Sequence, residues 1–250
     1  MKLSFQLYSS RNCPPVTDQV ATLAALGYKY VEPYGPTYDE LDAFKAALDT
    51  HGMTAPSAHF DLAMLDNDLP RCIEIARMLG TQLVIAPYLA VEDRPAYKAG
   101  WLAFGQRLAS VADRLKAAGL DFAWHNHDFE FVTLPDGSLP IDAMLSASDL
   151  IGLELDVAWA VKGGIDAAAF IELNGARIVA IHMKDMSRNG ENAEEQGWTD
   201  VGSGTMPWAT LWPAIKKTNA SIAVMEHDNP TSYKRFAENS AKGVIQFGVS

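Results

Sequence analysis

Ile178-Val-Ala-Ile-His182-Met-Lys184-Asp185 is the stretch on which the reading of this chain turns. It opens as a short, β-branched apolar run, the composition of a buried strand, and ends abruptly in an imidazole, an ammonium and a carboxylate. Two other stretches repeat the design, Ile151-Gly-Leu-Glu-Leu-Asp156 and Ile222-Ala-Val-Met-Glu226-His227-Asp228. A fourth, ending in Trp124-His125-Asn126-His127-Asp128-Phe129-Glu130, closes an apolar run in the same way. Strand side chains alternate between faces, so His182 and Lys184 share one side, as do Glu226 and Asp228. A carboxylate at the end of a buried strand is expensive unless it is hydrogen-bonded, paired or bound to a metal.

Working outward, strands are expected at Leu3–Tyr8, Tyr30–Tyr34, Thr54–Phe60, Gln82–Tyr88, Asp121–His127, Ile151–Val157, Ile178–Lys184 and Ile222–His227. Helical patterns lie between them at Thr17–Leu26, Tyr38–Thr50, Leu69–Leu79, Pro95–Ala118, Ile165–Leu173, Trp208–Thr218 and Ser232–Ile245. Several run into a glycine placed as a C-cap, Gly27, Gly52, Gly80 and Gly119 among them. Strand and helix alternating from end to end implies a parallel sheet. Eight such units in 250 residues match one closed (β/α)8 TIM barrel spanning 1–250. A doubly wound open sheet is the competing architecture, but no GxGxxG follows the first strand. Gly202-Ser203-Gly204 comes late, at the end of a long polar stretch, Ser187–Gly204, placed where lids and binding loops occur.

The composition, 48% hydrophobic and 20% charged, is that of a globular protein with a sizeable core. A net charge of −11 disfavours a nucleic-acid partner, whose phosphates need a basic surface. Cys13 and Cys72 form neither a disulfide framework nor a CxxC site. No apolar run is long enough to span a membrane, and the N-terminal residues lack a secretory pattern, so a cytoplasmic location is expected.

Carboxylates and imidazoles brought by separate strands to one barrel rim suit a divalent metal, because active groups gather at the C-terminal ends of the strands. Asp156, His182 and Glu226 are the expected ligands. The fourth comes from the strand-five cluster, with Glu130 reaching back after the strand ends, or His125 or His127 in its place. Glu32 and His59 end earlier strands and are placed to reach the same mouth. His59, His127, Trp159 and Glu32 are therefore the expected substrate-binding residues. Trp159, Phe60, Tyr8 and Trp208 offer an apolar wall for a sugar ring, although core packing explains them as readily.

The segments His125-Asn-His-Asp-Phe-Glu-Phe131, Leu153-Glu-Leu-Asp-Val-Ala-Trp-Ala-Val-Lys162, Ile181-His-Met-Lys-Asp-Met186, Val201-Gly-Ser-Gly204 and Val224-Met-Glu-His-Asp228 carry a family resemblance. Over essentially its whole length the chain resembles the sugar phosphate isomerase/epimerase group of the xylose isomerase-like TIM barrels. The match is nearer to the inosose dehydratase-like and keto-glycoside-processing branches. The resemblance implies a Glu–Asp–His–Glu site for Mn2+, or for Mg2+, Co2+ or Zn2+, falling on Glu130, Asp156, His182 and Glu226. It departs from the free-ketose epimerases where a Glu-Asn-His run reads His125-Asn126-His127 and an Asp-x-x-His motif reads Asp156-Val-Ala-Trp159. A homo-oligomer is a further implication of the resemblance.

The chemistry this implies is proton abstraction next to the carbonyl of a small sugar or keto-sugar, through a metal-stabilised enediolate. Glu226 or Glu130 would serve as base, and Lys184 or His125 would handle the second proton. Return of the proton to carbon gives isomerisation or epimerisation. Loss of a β-oxygen substituent gives dehydration of an inosose or cleavage of a 3-keto-glycoside. Two other readings compete: an abasic-site endonuclease, poorly served by six histidines and the negative charge, and a non-catalytic sugar-binding barrel or complex subunit.

Overall fold

Each of the eight apolar runs forms a parallel strand, as expected for segments that bury both faces. The computed structural model describes residues 1–245 and 247. Its barrel strands are β1 (Lys2–Gln6), β2 (Tyr30–Glu32), β3 (Ser57–His59), β4 (Leu83–Ala86), β5 (Asp121–His125), β6 (Ile151–Asp156) and β7 (Ile178–Met183). The eighth, β10 (Ile222–Met225), follows a small antiparallel ribbon of β8 (Asp185–Met186) and β9 (Trp198–Thr199). The strand order is β2-β1-β10-β7-β6-β5-β4-β3, and all seven pairings are parallel. A short bridge between Tyr30 and Thr54 draws the two outer strands together, with Val31 N donating to Thr54 O at 3.1 Å and His59 N to Pro33 O at 2.9 Å. The result is a nearly closed (β/α)8 TIM barrel.

Alternation along the strands divides the interior. Phe5, Val31, Ala58, Val84, Phe122, Trp124, Leu153, Leu155, Ile181, Met183, Ala223 and Met225 point outward into the main core under the helices. Leu83, Ile85, Ala123, Ala180, Ile222 and Val224 form a separate cluster inside the barrel. Carrying the same period onward, the remaining inward positions are polar: Gln6, Glu32, His59, His125, Glu154, Asp156, His182 and Glu226, all buried. Register places them side by side, with Gln6 against Glu32, His125 against Glu154, and Asp156 against His182.

The longer helices, α1 (Val16–Ala25), α2 (Leu41–His51), α4 (Leu69–Leu79) and α5 (Lys98–Ala117) among them, lie close to their expected positions. Helix α4 starts where Asp68 accepts from Arg71 N and stops at Gly80, whose φ of +72° is costly for other residues. Three short helices have no counterpart in the sequence reading: α3 (Leu62–Asn67), α6 (Pro140–Leu145) and α7 (Val157–Lys162). Each is six residues, too short for a 3.6-residue period to show.

The strand-five segment differs most from expectation. The strand stops at His125, and a single 3-10 turn, Phe129–Phe131, folds the chain back. Glu130 does not reach the barrel mouth. Its carboxylate is fully buried beneath the turn, accepting from Trp124 Nε1 at 2.9 Å and His127 N at 2.9 Å. Burial raises this carboxyl to about 7, although both hydrogen bonds favour the ionised form.

A carboxyl that titrates higher in the folded state than in the unfolded state holds its proton more tightly when folded. Glu130 therefore costs stability as the pH rises from about 4.5 to about 7, by up to about 3 kcal/mol. Glu130→Gln should gain stability progressively over wild type across that window, read by urea unfolding on both sides of it. A constant difference would contradict the assignment. A second check concerns packing. In α5, Gly105 lies where a Cβ would run into Met144 O and the Ala147 methyl. Gly105→Ala gains about 1 kcal/mol of helix propensity and loses roughly 1–3 kcal/mol to overpacking, so it should lower Tm. A raised Tm would show that α6 moves freely.

Candidate active site and metal centre

The inward polar side chains meet in two connected groups. At the barrel floor, Glu154 Oε2 lies 2.7 Å from His59 Nε2, 3.1 Å from His182 Nε2 and 3.2 Å from His125 Nδ1. Glu32 Oε1 lies 3.0 Å from His59 Nε2 and 2.9 Å from His182 Nε2, and also accepts from Gln6 Nε2 at 2.8 Å. Its other oxygen accepts from Ser57 Oγ. Burial alone would raise both carboxyls, but the imidazoles hold Glu32 well below the usual range and Glu154 at about 2. In turn the carboxylates overcome burial and raise His59 to about 9 and His182 well above its ordinary value. His125 goes the other way: burial and then His182 push it well below the ordinary imidazole range.

The second group surrounds Lys184, which is 1% exposed. Its Nζ lies 2.5 Å from Glu226 Oε2, 2.6 Å from Asp228 Oδ2 and 3.7 Å from Asp156 Oδ2. It also stands 4.6 Å from the centre of the Trp198 ring and 5.0 Å from that of Trp159. Burial works against this ammonium, but Asp228, Glu226 and Asp156 raise its pKa above the ordinary lysine value. Burial raises Glu226 to about 7 despite Lys184, and it raises Asp156 as well. For Asp228 the balance reverses, and Lys184 lowers it against burial.

Local structure explains how these groups are held. Asp156 ends β6 and caps α7, with Oδ1 accepting from Trp159 N at 2.9 Å. Asn126 fastens β5 to β6, its amide accepting from Asp156 N at 3.0 Å and donating to Asp156 O at 3.1 Å. The long Ser187–Gly204 stretch is structural, since through β8 and β9 it lays Trp198 against Lys184. Asp185 fixes that ribbon by accepting from Gly202 N, Met206 N and Trp208 Nε1 at 2.9–3.0 Å. Glu195 ties it to the loop after β10 through Thr231 N at 2.7 Å, and to the C-terminal helix Tyr233–Ile245 through Arg235 at 2.9 Å.

A cavity of about 430 Å³ opens over both groups, lined by Gln6, Tyr8, Tyr34, His59, Tyr88, His125, His127, His182, Glu226 and Asp228, among others. Of the expected substrate-binding residues, His59 and His127 line it, and burial followed by Lys184 keeps His127 neutral, its pKa lowered to about 3. Glu32 is fully buried behind His59 and His182 and does not face the cavity. Trp159 is half-buried, packed on His127 and Trp198. In the expected aromatic wall only Tyr8 lines the cavity. Phe60 and Trp208 belong to the core, where the Trp208 indole serves Asp185.

The structure brings Asp156, His182 and Glu226 together, with one donor atom from each within 4.8 Å of the others. Glu130, the remaining expected ligand, stands outside this group, engaged by Trp124 and the His127 backbone. His59, His125, Glu154 and His182 form a second group whose donor atoms are equally close. The sequence reading passed over Glu154, although its signal was present two residues before Asp156 on the same face. Asp156 Oδ2 and His182 Nδ1 are buried without a hydrogen-bond partner, and Glu226 Oε2 is engaged by the Lys184 ammonium at 2.5 Å. Two hard carboxylate oxygens and an imidazole fit a divalent cation, provided Lys184 yields Glu226.

The sequence pattern of the xylose isomerase-like TIM barrel matches residues 20–246. The rhizopine catabolism protein MocC of Rhizobium meliloti is 23% identical over 202 residues, covering 73% of this chain. The match takes in 61% of that protein, so this chain spans less than two thirds of its length. A sugar phosphate isomerase/epimerase from Parabacteroides distasonis superposes with a TM-score of 0.81 at 20% identity, over 98% of this chain and 93% of that one. The probable 3-DHS dehydratase AsbF of Bacillus anthracis gives 0.77 at 14% identity, over 98% and 99%. The IolI protein, solved with a bound zinc atom, gives 0.76 at 17% identity, over 99% and 98%. At such identities the structural likeness speaks for the fold, while the match across most of the sequence settles descent: the chain belongs to the xylose isomerase-like TIM barrel family.

Proposed function

We propose that this protein is a divalent-metal-dependent sugar isomerase or epimerase that moves a proton next to a carbonyl. The observation that carries the reading is Glu226. It is a buried carboxylate on the cavity wall, raised to about 7 by burial and held against Lys184 and beside Asp156 and His182. A base with a pKa near neutrality both takes and returns a proton at low cost. Asp156, His182 and Glu226 are the residues that would hold the metal. A bound divalent ion supplies Lewis-acid polarisation of the substrate carbonyl and a neighbouring hydroxyl.

The chain's own residues divide the remaining work. Of the two carboxylates expected as base, Glu226 reaches the cavity and Glu130 does not. His125 also lines the cavity and stands three strands away around the barrel, so it meets a substrate from another side. As a neutral imidazole it carries one N–H, with which it is able to hydrogen-bond a substrate oxygen and help pass the second proton. Lys184 acts behind Glu226, keeping that carboxylate aimed and partly neutralised. Tyr8, Tyr34 and Tyr88 at the mouth supply aromatic faces for the apolar side of a sugar ring.

Elimination is the second reading, and Lys184 favours it. Its firmly held charge keeps Glu226 in place, and after taking the α-proton that carboxyl, with a pKa near 7, would hand the proton to a β-oxygen departing on the same face, which turns the chemistry to dehydration of an inosose or cleavage of a 3-keto-glycoside.

Deuterium exchange at the α-carbon of ketosugars, inososes and 3-keto-glycosides, followed by NMR with Mn2+ present, tests the reading. Wild type should exchange at least one of them, and Glu226→Gln should be slower by about 100-fold or more with its fold intact. Glu130→Gln should lose less than about tenfold. No exchange by wild type with any of the three classes, or equal losses in the two variants, would reject it.

A further inference from the structure

We propose that the floor of the cavity is a divalent-cation site in its own right, formed by His59 Nε2, His125 Nδ1, His182 Nε2 and Glu154 Oε2, with Glu32 Oε1 as a fifth donor. It is distinct from the Asp156 and Glu226 oxygens and shares only the His182 ring with them. The sugar chemistry proposed above is not needed for it.

Hydrogen bonds alone leave this group unsatisfied. A ring nitrogen carries at most one hydrogen, yet His59 Nε2 and His182 Nε2 each lie within 3.1 Å of two carboxylate oxygens, one from Glu32 and one from Glu154. His125 Nδ1, on a residue only 5% exposed, is 3.2 Å from Glu154 Oε2 but has no hydrogen bond. Glu154 Oε1, buried, has none either. Three imidazole nitrogens thus converge on a single carboxylate oxygen at 2.7, 3.1 and 3.2 Å. Donors about 2.0–2.1 Å from a tetrahedral ion are about 3.3 Å apart, so the imidazoles would draw back from Glu154 Oε2 by about 0.1–0.6 Å to admit one, His59 moving most.

The donor chemistry chooses the ion. Three imidazoles with one or two carboxylates suit a borderline transition metal such as Zn2+ or Co2+ better than Mg2+, which prefers an all-oxygen octahedron. Access is built in: His59, His125 and His182 line the cavity, while Glu32 and Glu154 are fully buried behind them. An ion held there keeps an open position facing the cavity. The Lys184 group already contains a resident cation among its three carboxylates, whereas no lysine or arginine is paired with Glu32 or Glu154 among the described residues.

Cobalt(II) titration of metal-free protein tests the assignment, read by visible d–d absorption and by equilibrium dialysis without sugar. Wild type should show the intense bands of a four- or five-coordinate imidazole site. Asp156→Asn should keep them. His59→Gln and Glu154→Gln should each lose them or weaken cobalt binding at least tenfold, with thermal melts confirming that one or both remain folded. Bands lost in Asp156→Asn but kept in His59→Gln would overturn the proposal, as would loss in all three variants, which makes the ion common to both groups. Absence of cobalt binding in wild type would also overturn it. Because no substrate enters this experiment, its failure is separate from failure of the isomerase reading, which deuterium exchange decides.

Discussion

His182 holds the interior of this barrel together. Its Nε2 is shared by the Glu32 and Glu154 carboxylates below, and the same residue groups with Asp156 and Glu226 at the rim. No surrounding apolar packing would tolerate these groups singly, since an unpaired buried charge costs several kcal/mol. Each is tolerable because the others are present. Buried ion networks of this sort contribute little net stability compared with a well-packed apolar core of the same volume. Their presence inside an otherwise ordinary TIM barrel therefore points to chemistry.

Lys184 governs the electrostatics of the upper half. A fully buried ammonium among Asp156, Glu226 and Asp228, flanked by Trp159 and Trp198, lets three carboxylates share a small volume beside the cavity. It also gives the long polar loop after β7 its place in the site. That segment returns Trp198 to the ammonium and is itself secured by Asp185 and Glu195, so the lid-like stretch packs behind the site. The floor group is built differently, from imidazoles whose protons a metal can replace.

Much of this was legible in the sequence because strand alternation is a strong signal. Eight apolar runs gave the barrel. The polar residues ending the last of them placed Asp156, His182, Lys184, Glu226 and Asp228 in one neighbourhood. The misread parts share a cause, since they depend on where a strand stops or on what is paired across it. Glu130 follows a tight turn, and its burial under that turn depends on Trp124 and the His127 amide, which spacing does not reveal. Glu154 sits inside an apolar run, so a strand-end search passes over it. Its partners His59 and His125 come from β3 and β5, and only the β5–β6 register sets His125 beside it. Glu32 was placed near the mouth but lies one layer behind it, satisfied by Gln6, Ser57 and two histidines.

The central claim is that His182 is the point at which this protein holds a divalent cation. Anomalous diffraction from crystals soaked in Mn2+ or Zn2+, collected above and below the metal edge, measures that directly. The account predicts the strongest anomalous peak within bonding distance of a ring nitrogen of His182. Peaks confined to surface carboxylates, with none in contact with His182, would contradict it.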